Sequence, residues 1–266
     1  MTNIFSKYLS LICLLTFLGG CVSIPGTNKR VLMLVNEKQE MTMGLQAYNQ
    51  ILQSERLSRN TRLNRILQRV GRRVSVHAPV KHYKWEFKLI ENKQMNAFCL
   101  PGGKVAFYTG IMPIAQNEAS LAIVMGHEIA HAVARHGGQR MSHAMLTQFG
   151  MTALDATLLQ KSRYRNSMMA ALGLGVQVGH NLPFSRGNEL EADTMGLAYA
   201  AKAGYDPREA ANFWRRFSTV GQGSAPPAFL STHPSGPQRI ANIERLIPKV
   251  IGHYNSSAKY GLGEKL

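Results

Sequence analysis

The spacing of hydrophobic residues predicts a mostly helical chain that contains one short run of strands. A first helix follows Asn36, and residues 60–76 place five aliphatic side chains on one helical face. From Trp85 the period changes to two, and two further strands extend to Thr109 around a Pro-Gly-Gly turn at residues 101–103. This order predicts an α+β fold in which a small antiparallel sheet precedes a buried helix.

The buried helix carries a pattern that is typical of a metal site. It is predicted to run from residues 117–118 to a glycine stop at residues 137–138, and it contains His127, Glu128 and His131. Histidines four residues apart share one helical face, so both imidazoles can reach a single metal ion. Glu128 then lies beside the metal, where a general base for the attacking water is needed. The alternative is an ordinary helix with two unconnected histidines and a solvated glutamate.

A later helical segment supplies carboxylates at the matching spacing. Glu189 and Asp193 are four residues apart on one helical face. A glutamate as third ligand completes a two-histidine, one-glutamate zinc site that keeps a fourth position for water. Asp193 is placed to accept the free ring N–H of a zinc histidine, which we expect to be His127. Glu191 points elsewhere on this helix, and we expect it to be solvated or paired with Arg186.

Two other side chains with reactive groups are interpreted as structural. His136 lies on the opposite helical face from His127, so we read it as a favourable charge at the helix C-terminus. Cys99 lies between Phe98 and Leu100 in a strand-like segment, so we expect a buried small apolar residue and not a nucleophile.

A histidine in a late loop is a further candidate for the site. Residues 221–237 are rich in Gly, Pro and Ser, and they contain Thr232-His233-Pro234. If the loop covers the pocket, His233 would stabilise the oxyanion or occupy the fourth zinc position as a latch. The alternative is a surface loop.

The first twenty residues have the features of a cleaved export signal. Lys7 precedes an apolar run, residues 8–18, that is too short to span a bilayer. The run ends in Leu18-Gly19-Gly20-Cys21, which resembles the lipobox of bacterial lipoproteins, in which the cysteine is diacylated and becomes the new N-terminus. By this resemblance Cys21 is the lipid anchor, and Val22 favours sorting to the outer membrane, facing the periplasm. The alternative is an ordinary secretory signal with an incidental cysteine.

The formal net charge of +16 at pH 7 favours contact with anionic surfaces. Six arginines between residues 59 and 73 cover the polar side of one predicted helix, either as a solvated face or as a face toward a membrane or substrate. We expect an anionic membrane surface as a partner that supplements the acyl anchor. Nucleic acid is not expected, because an exported protein rarely meets it and no aromatic-interleaved basic motif occurs.

Together the motifs resemble the gluzincin metallopeptidases of the HtpX and Oma type, peptidase family M-forty-eight, and in particular their bacterial lipoprotein members. The residues that carry the resemblance are Asn96-Ala97-Phe98 with Pro101-Gly102-Gly103, Gly126-His127-Glu128 through His131, and Ser185-Arg186 with Glu189-x-x-Ala192-Asp193. The resemblance implies a mostly helical zincin-like fold with one zinc ion per chain at His127, His131 and Glu189, and with Glu128 as the base. Similar members carry His-Pro followed by an arginine, here Arg239, in this part of the chain.

The resemblance also implies hydrolysis of peptide bonds in envelope proteins, as a form of periplasmic quality control. An envelope chaperone or assembly factor with a structural or latched zinc site is the alternative from another functional class. Glu128 favours the peptidase, because a purely structural site has no use for a base.

The expected organisation has four parts. Residues 1–20 are a removed signal, residues 21–35 a lipidated linker, residues 36–251 the metallopeptidase domain and residues 252–266 a flexible tail. Within the domain, residues 167–182 lack charged side chains and are interpreted as a buried or sheltered helix pair, with membrane association as the alternative.

Overall fold

A computed structural model describes residues 21–152, 184–220, 228–233 and 236–266. The described elements are β1 (Cys21–Ser23), β2 (Arg30–Leu32), α1 (Glu37–Ser54), α2 (Thr61–Ser75), β3 (Glu86–Ile90), β4 (Ala97–Leu100), β5 (Lys104–Tyr108), a 3-10 turn (Thr109–Ile111), α3 (Met112–Ala115), α4 (Glu118–Val133), α5 (His136–Thr152), α6 (Arg186–Lys202), α7 (Glu209–Val220), α8 (Ala228–Thr232) and α9 (Pro237–Ser256). The fold is α+β and mostly helical, as predicted. The expected signal at residues 1–20 and the segment 167–182 lie outside the described residues.

The N-terminal residues 21–35, expected to be a linker, contain the antiparallel hairpin β1–β2, in which Cys21 pairs with Leu32. Ile24 in the turn is only 1% exposed, and it belongs to the main hydrophobic core. Cys21 itself is exposed at the start of the hairpin. The hairpin therefore packs on the rest of the protein through Ile24 while Cys21 stays accessible.

Local signals account for the first two helices. Asn36 caps α1 in a reciprocal capping box with Gln39, as the sequence indicates. Asn60 accepts a hydrogen bond from the Leu63 amide at the start of α2. The predicted aliphatic face of α2 is buried against β3 and α4, while three arginines on the other face are exposed: Arg62, Arg65 and Arg72.

The three-stranded sheet is mixed, which corrects the prediction of an antiparallel sheet. The strand order is β3-β5-β4, with β5 parallel to β3 and antiparallel to β4. β4 and β5 form a hairpin around Gly102 and Gly103, which have φ of 86° and 85°. After β3 the chain crosses to the opposite edge of the sheet and forms β4 there, so that β5 lies between β3 and β4. A period of two in the sequence does not reveal strand direction. β4 is consequently an edge strand, and it packs against α4.

Helix α4 lies at the centre of the protein, and every one of its residues is buried. Its start agrees with the prediction, because Asn117 accepts a hydrogen bond from the Ser120 amide at 2.8 Å. It packs against α2, α6, α7 and β4, which together surround it. No helix among the described residues is long and apolar enough to span a bilayer.

The end of α4 differs from the prediction. The helix stops at Val133, Arg135 adopts a left-handed φ of 54°, and α5 begins at His136. Buried Arg135 is held in this turn by Glu40, whose Oε1 lies 2.6 Å from the arginine Nη2. Gly138 lies inside α5, where a Cβ would approach Glu40 Oε1 to 2.1 Å. Gly138 therefore allows α5 to pass close to Glu40 of α1, and the glycine pair does not end the metal helix.

The C-terminal segment packs against the start of α4. Helix α9 continues to Ser256, and the residues after it, within the expected tail at 252–266, make backbone hydrogen bonds to the rest of the protein. The Glu118 amide donates to the Glu264 carbonyl at 3.1 Å, and the Leu266 amide donates to the Gln116 carbonyl at 3.0 Å. These bonds satisfy groups at the N-terminal end of α4 that would otherwise need water.

Candidate metal centre

Four buried side chains converge next to α4. They are His127 and His131 from α4, Glu189 from α6, and His233, which directly follows α8; their nearest ligand atoms all lie within 4.8 Å of one another. The Nε2 atom of His127 is 3.1 Å from His131 Nε2 and 3.2 Å from His233 Nδ1. Glu189 Oε1 is 3.3 Å from His131 Nε2 and 3.1 Å from His233 Nδ1. The three predicted ligands therefore come together, and His233 joins them.

The crossing of α4 and α6 brings the two halves of the cluster together. Ser185 caps α6 by accepting from the Asn188 amide, so Glu189 falls in the first helical turn. A Cβ on Gly126 would lie 2.5 Å from the Gly196 carbonyl oxygen, so the two helices touch backbone to backbone. This close approach lets a short glutamate side chain reach both histidines of α4.

The donor set fits a transition-metal ion. Imidazole nitrogens and a carboxylate oxygen are ligands that such ions prefer. The outer nitrogen of His127, Nδ1, faces Asp193 Oδ1 at 2.9 Å, so it carries a proton, and Nε2 presents its lone pair to the cluster. Two Nε2 atoms facing each other at 3.1 Å need a proton or a cation between them. His127, His131 and Glu189, with or without His233, could hold that cation.

Asp193 and Arg239 pair with each other and contact the side chains of the cluster. Arg239 on α9 donates from Nε and Nη2 to the two oxygens of Asp193, at 2.9 and 2.8 Å. Its Nη1 lies 2.6 Å from Glu189 Oε2, and its guanidinium stacks 3.6 Å above the Trp214 ring. Burial raises the pKa of Asp193, but the charge of Arg239 and the contact with His127 outweigh burial and keep it below its ordinary value. The positive charge of Arg239 thus compensates the negative charges of two buried carboxylates, Glu189 and Asp193.

Glu128 lies beside the cluster and takes no part in holding it. Its Oε1 is buried and has no hydrogen-bond partner among the described residues, and His233 Nε2 is 3.4 Å away. Burial raises the pKa of the Glu128 carboxyl above its ordinary value. An unpaired carboxylate oxygen beside a metal-ligand cluster is suited to bind and deprotonate a water molecule.

The positions of His136 and Glu191 correct two predictions. His136 is fully buried, with its Nδ1 2.9 Å from His131 Nδ1 and its Nε2 3.2 Å from Glu191 Oε2. Glu191 also pairs with Lys29 Nζ at 2.6 Å, and not with Arg186. Burial lowers the pKa of His136, so it is not a charge at a helix terminus. The prediction failed because α4 ends at Val133, and the next helix turns His136 back toward His131.

Aromatic rings enclose the cluster. The Phe184 ring lies 4.0 Å from the His131 ring, and the Phe229 ring lies 4.4 Å from the His233 ring, measured between centroids. Trp214 is 6.1 Å from His127. No metal-ligand or acid–base pattern in the sequence marks Trp214 or Phe229 as part of a site. Their position lowers the local polarity, which strengthens electrostatic interactions within the site.

Cys99 on β4 is half-buried, and it does not join the cluster. Burial raises the pKa of its thiol well above the ordinary value, and the nearby Glu128 carboxylate raises it further. The thiol is therefore protonated at neutral pH, and the side chain, expected to be buried, is partly exposed.

Comparisons with known proteins place the cluster inside a matched family region. Residues 58–247 match the family described as Peptidase family M48, a range that includes all the cluster residues. The chain is 34% identical over 230 residues to the mitochondrial metalloendopeptidase OMA1 of Schizosaccharomyces pombe, covering 85% of this chain and 66% of that protein. It is 33% identical over 211 residues to the beta-barrel assembly-enhancing protease of Escherichia coli K12, covering 77% of this chain and 43% of that protein. It is also 30% identical over 235 residues to the beta-barrel assembly-enhancing protease of Yersinia pestis. The matched region covers 86% of this chain and 48% of that protein, so this chain spans about half the length of that relative.

Proposed function

The chain belongs to peptidase family M48 and is a metallopeptidase by that membership; we propose that it is a zinc endopeptidase with one zinc ion held by His127, His131 and Glu189. The observation that carries this proposal is the position of Glu128. In the part of the chain that the structure describes, its carboxylate has a buried oxygen without a hydrogen-bond partner, 3.4 Å from Nε2 of His233 in the cluster. A structural zinc site, which is closed by four protein ligands, does not need a free carboxylate beside the metal.

The residues of the chain divide the reaction among them. When bound, zinc would supply Lewis-acid polarisation of the scissile carbonyl and of the attacking water. Glu128 takes the proton from that water and returns it to the leaving amine. Asp193, held by Arg239, keeps His127 in the tautomer that presents Nε2 to the cluster.

Strand β4 supports a preference for extended polypeptide substrates. In the part of the chain that the structure describes, β4 pairs with β5 on one side and with no strand on the other. Since β4 packs beside α4, an unfolded segment paired with this edge would run past the cluster. The alternative is that the hairpin only supports α4.

We propose misfolded or misassembled envelope proteins as the substrates. The bacterial relatives named beta-barrel assembly-enhancing protease support a role in the envelope. Other relatives are named as mitochondrial, so the proposed compartment rests on the N-terminal pattern of this chain and not on the family. The exposed Cys21 is available for an acyl anchor in the outer membrane, with the protein facing the periplasm. Exposed arginines on α2 would add attraction to anionic lipid.

The anchor is tested separately from the activity. Metabolic labelling with palmitate should mark the wild-type protein and not Cys21→Ser, and fractionation should release that variant from the outer membrane. Equal labelling or equal membrane retention of the two proteins would contradict the anchor at Cys21.

The decisive test of the peptidase is Glu128→Gln in the full chain. The substitution keeps the shape of the side chain and the zinc ligands, so zinc content should equal that of the wild type. Hydrolysis of an unfolded fluorescent reporter protein should fall by a factor on the order of 100–10,000, because the base is lost. Glu244→Gln, on the exposed side of α9, is the matched control. Turnover by the Glu128 variant at the wild-type rate would refute the mechanism.

A latched chaperone or assembly factor is the second candidate. The observation in its favour is His233, which adds a fourth protein ligand atom to the cluster and so resembles the closing of a structural site. Complementation of a deletion strain separates the two functions: rescue by Glu128→Gln requires a non-catalytic role, and failure of that variant requires the peptidase.

A further inference from the structure

A second chain of polar contacts extends from the metal ligand His131 toward the surface. His131 Nδ1 lies 2.9 Å from His136 Nδ1, and His136 Nε2 lies 3.2 Å from Glu191 Oε2. Glu191 Oε2 is in turn 2.6 Å from Lys29 Nζ. This series of contacts thus connects α4, α5, α6 and the N-terminal hairpin.

The protonation of the ring nitrogens determines which group donates and which accepts in each of these hydrogen bonds. Because His131 Nε2 faces His127 and Glu189, its Nδ1 is the outer nitrogen, and it must carry the ring proton when Nε2 uses its lone pair for a metal. The acceptor for that proton is His136 Nδ1, so His136 must carry its own proton on Nε2. Glu191 accepts a hydrogen bond from the Nε2–H group of His136, since an ionised carboxylate can only accept.

We propose that His136 and Glu191 are positioning residues that set the tautomer and ring orientation of His131 for metal binding. The inference rests on the proposed zinc function. It makes the two α4 ligands equivalent: His127 is oriented directly by Asp193 at 2.9 Å, and His131 is oriented by Glu191 through His136. Outer partners of this kind raise the basicity of a ligating imidazole and hold its ring in place.

Burial ranks the contributions of the three outer residues. The His136 side chain is completely buried, the Glu191 side chain is 13% exposed and the Lys29 side chain is 46% exposed. A hydrogen bond in a buried environment loses little to competition with water, whereas an exposed ion pair is screened. Removal of His136 should therefore have the largest effect, and removal of Lys29 the smallest.

Zinc affinity, measured by competition with a chromophoric chelator, tests the proposal without relying on turnover. His136→Leu should weaken zinc binding by about 10–100-fold, as is typical for a lost outer partner. Glu191→Gln should cause a smaller loss in the same direction, because the amide oxygen can still accept a hydrogen bond from His136 but the amide NH2 can also donate one to the wrong tautomer. Lys29→Met should stay within about fivefold of the wild type. His253→Leu, exposed on α9, is the control for a histidine loss elsewhere.

Three further measurements separate positioning from a general packing defect. His136→Asn restores an acceptor near the Nδ1 position, so its zinc affinity should lie closer to the wild type than that of His136→Leu. The visible absorption of the cobalt-substituted protein should change in His136→Leu and Glu191→Gln, and not in the His253 control. Thermal unfolding of the metal-free proteins reports packing independently; if His136→Leu fails to fold, the shape-conserving Glu191→Gln still provides the test.

The outcomes distinguish this inference from the proposed function. If the wild type binds no zinc, the proposed function fails. If the wild type binds zinc and His131→Ala does not, while His136→Leu and Glu191→Gln bind zinc as tightly as the wild type, only the positioning role is overturned.

Discussion

Gly126 and Gly196 face each other at the crossing of α4 and α6, with no room for a side chain on either helix. A Cβ on Gly196 would lie 2.6 Å from the His127 backbone nitrogen and 2.8 Å from the Gly126 carbonyl oxygen. Gly126 directly precedes His127, and Gly196 follows Glu189 by about two helical turns. The glycine contact therefore sets how closely the carboxylate ligand approaches the histidine ligands.

Substitution at this crossing should affect both stability and metal binding. In Gly196→Ala the new methyl group must push the helices apart, so the free energy of unfolding should fall by about 1–3 kcal/mol. Zinc affinity should fall as well, because Glu189 moves away from His127. Urea denaturation of the metal-free protein and chelator competition measure the two effects. Gly187→Ala in the first turn of α6, where the nearest atom is 3.8 Å away, should show neither effect.

Replacing His233 by alanine should change the rate of peptide hydrolysis. An increase identifies His233 as a latch, because its removal opens the fourth ligand position next to His127 and Glu189. A decrease of about 100–1,000-fold identifies an oxyanion donor. Initial rates on an unfolded reporter, compared with the exposed His253→Ala control, decide between the two. A rate equal to that of the wild type would exclude both roles.

Removal of the metal should abolish hydrolysis and leave the protein folded. Without a cation, Asp193 and Glu189 still pair with Arg239, so the buried carboxylates remain compensated. With zinc present at about 100 times its dissociation constant, the metal adds about 2.7 kcal/mol to the unfolding free energy. Circular dichroism melting curves before and after chelation should differ by several degrees, and added zinc should restore both stability and hydrolysis. Unfolding on chelation at room temperature would contradict this expectation.

Acid should weaken the attachment of α2 to α4 through Glu118. This carboxylate is 1% exposed; it accepts from Arg69 Nε at 3.1 Å and from the Tyr205 hydroxyl at 2.7 Å. Burial raises the pKa of Glu118, but these hydrogen bonds outweigh burial and hold the pKa below its ordinary value of 4.5. The folded state therefore binds fewer protons than the unfolded state, and the stabilisation is complete above pH 4.5 and lost as the pH falls through the folded pKa.

The matching variant is Glu118→Gln. It should lower the free energy of unfolding by about 1–3 kcal/mol at pH 7, and the difference from the wild type should shrink in strongly acidic buffer. Urea denaturation at a series of pH values measures this. A difference that stays constant with pH would show that the carboxylate charge does not stabilise the fold.

The sequence by itself determined the features that depend on local backbone geometry. A residue and the fourth residue after it share a helical face in any α-helix, so spacing made His127 with His131, and Glu189 with Asp193, candidate site residues. The caps at Asn36 and Asn117 follow from hydrogen bonds within one helical turn.

Only the tertiary structure decided the features that depend on contacts between distant segments. The direction of β3 against β5 depends on how the intervening chain crosses the sheet. The turn at Arg135, which redirects His136 toward His131, is held by Glu40 from α1. Local propensity contains no information about such partners, because their energy comes from desolvated charges and close packing that exist only once the remote segments meet.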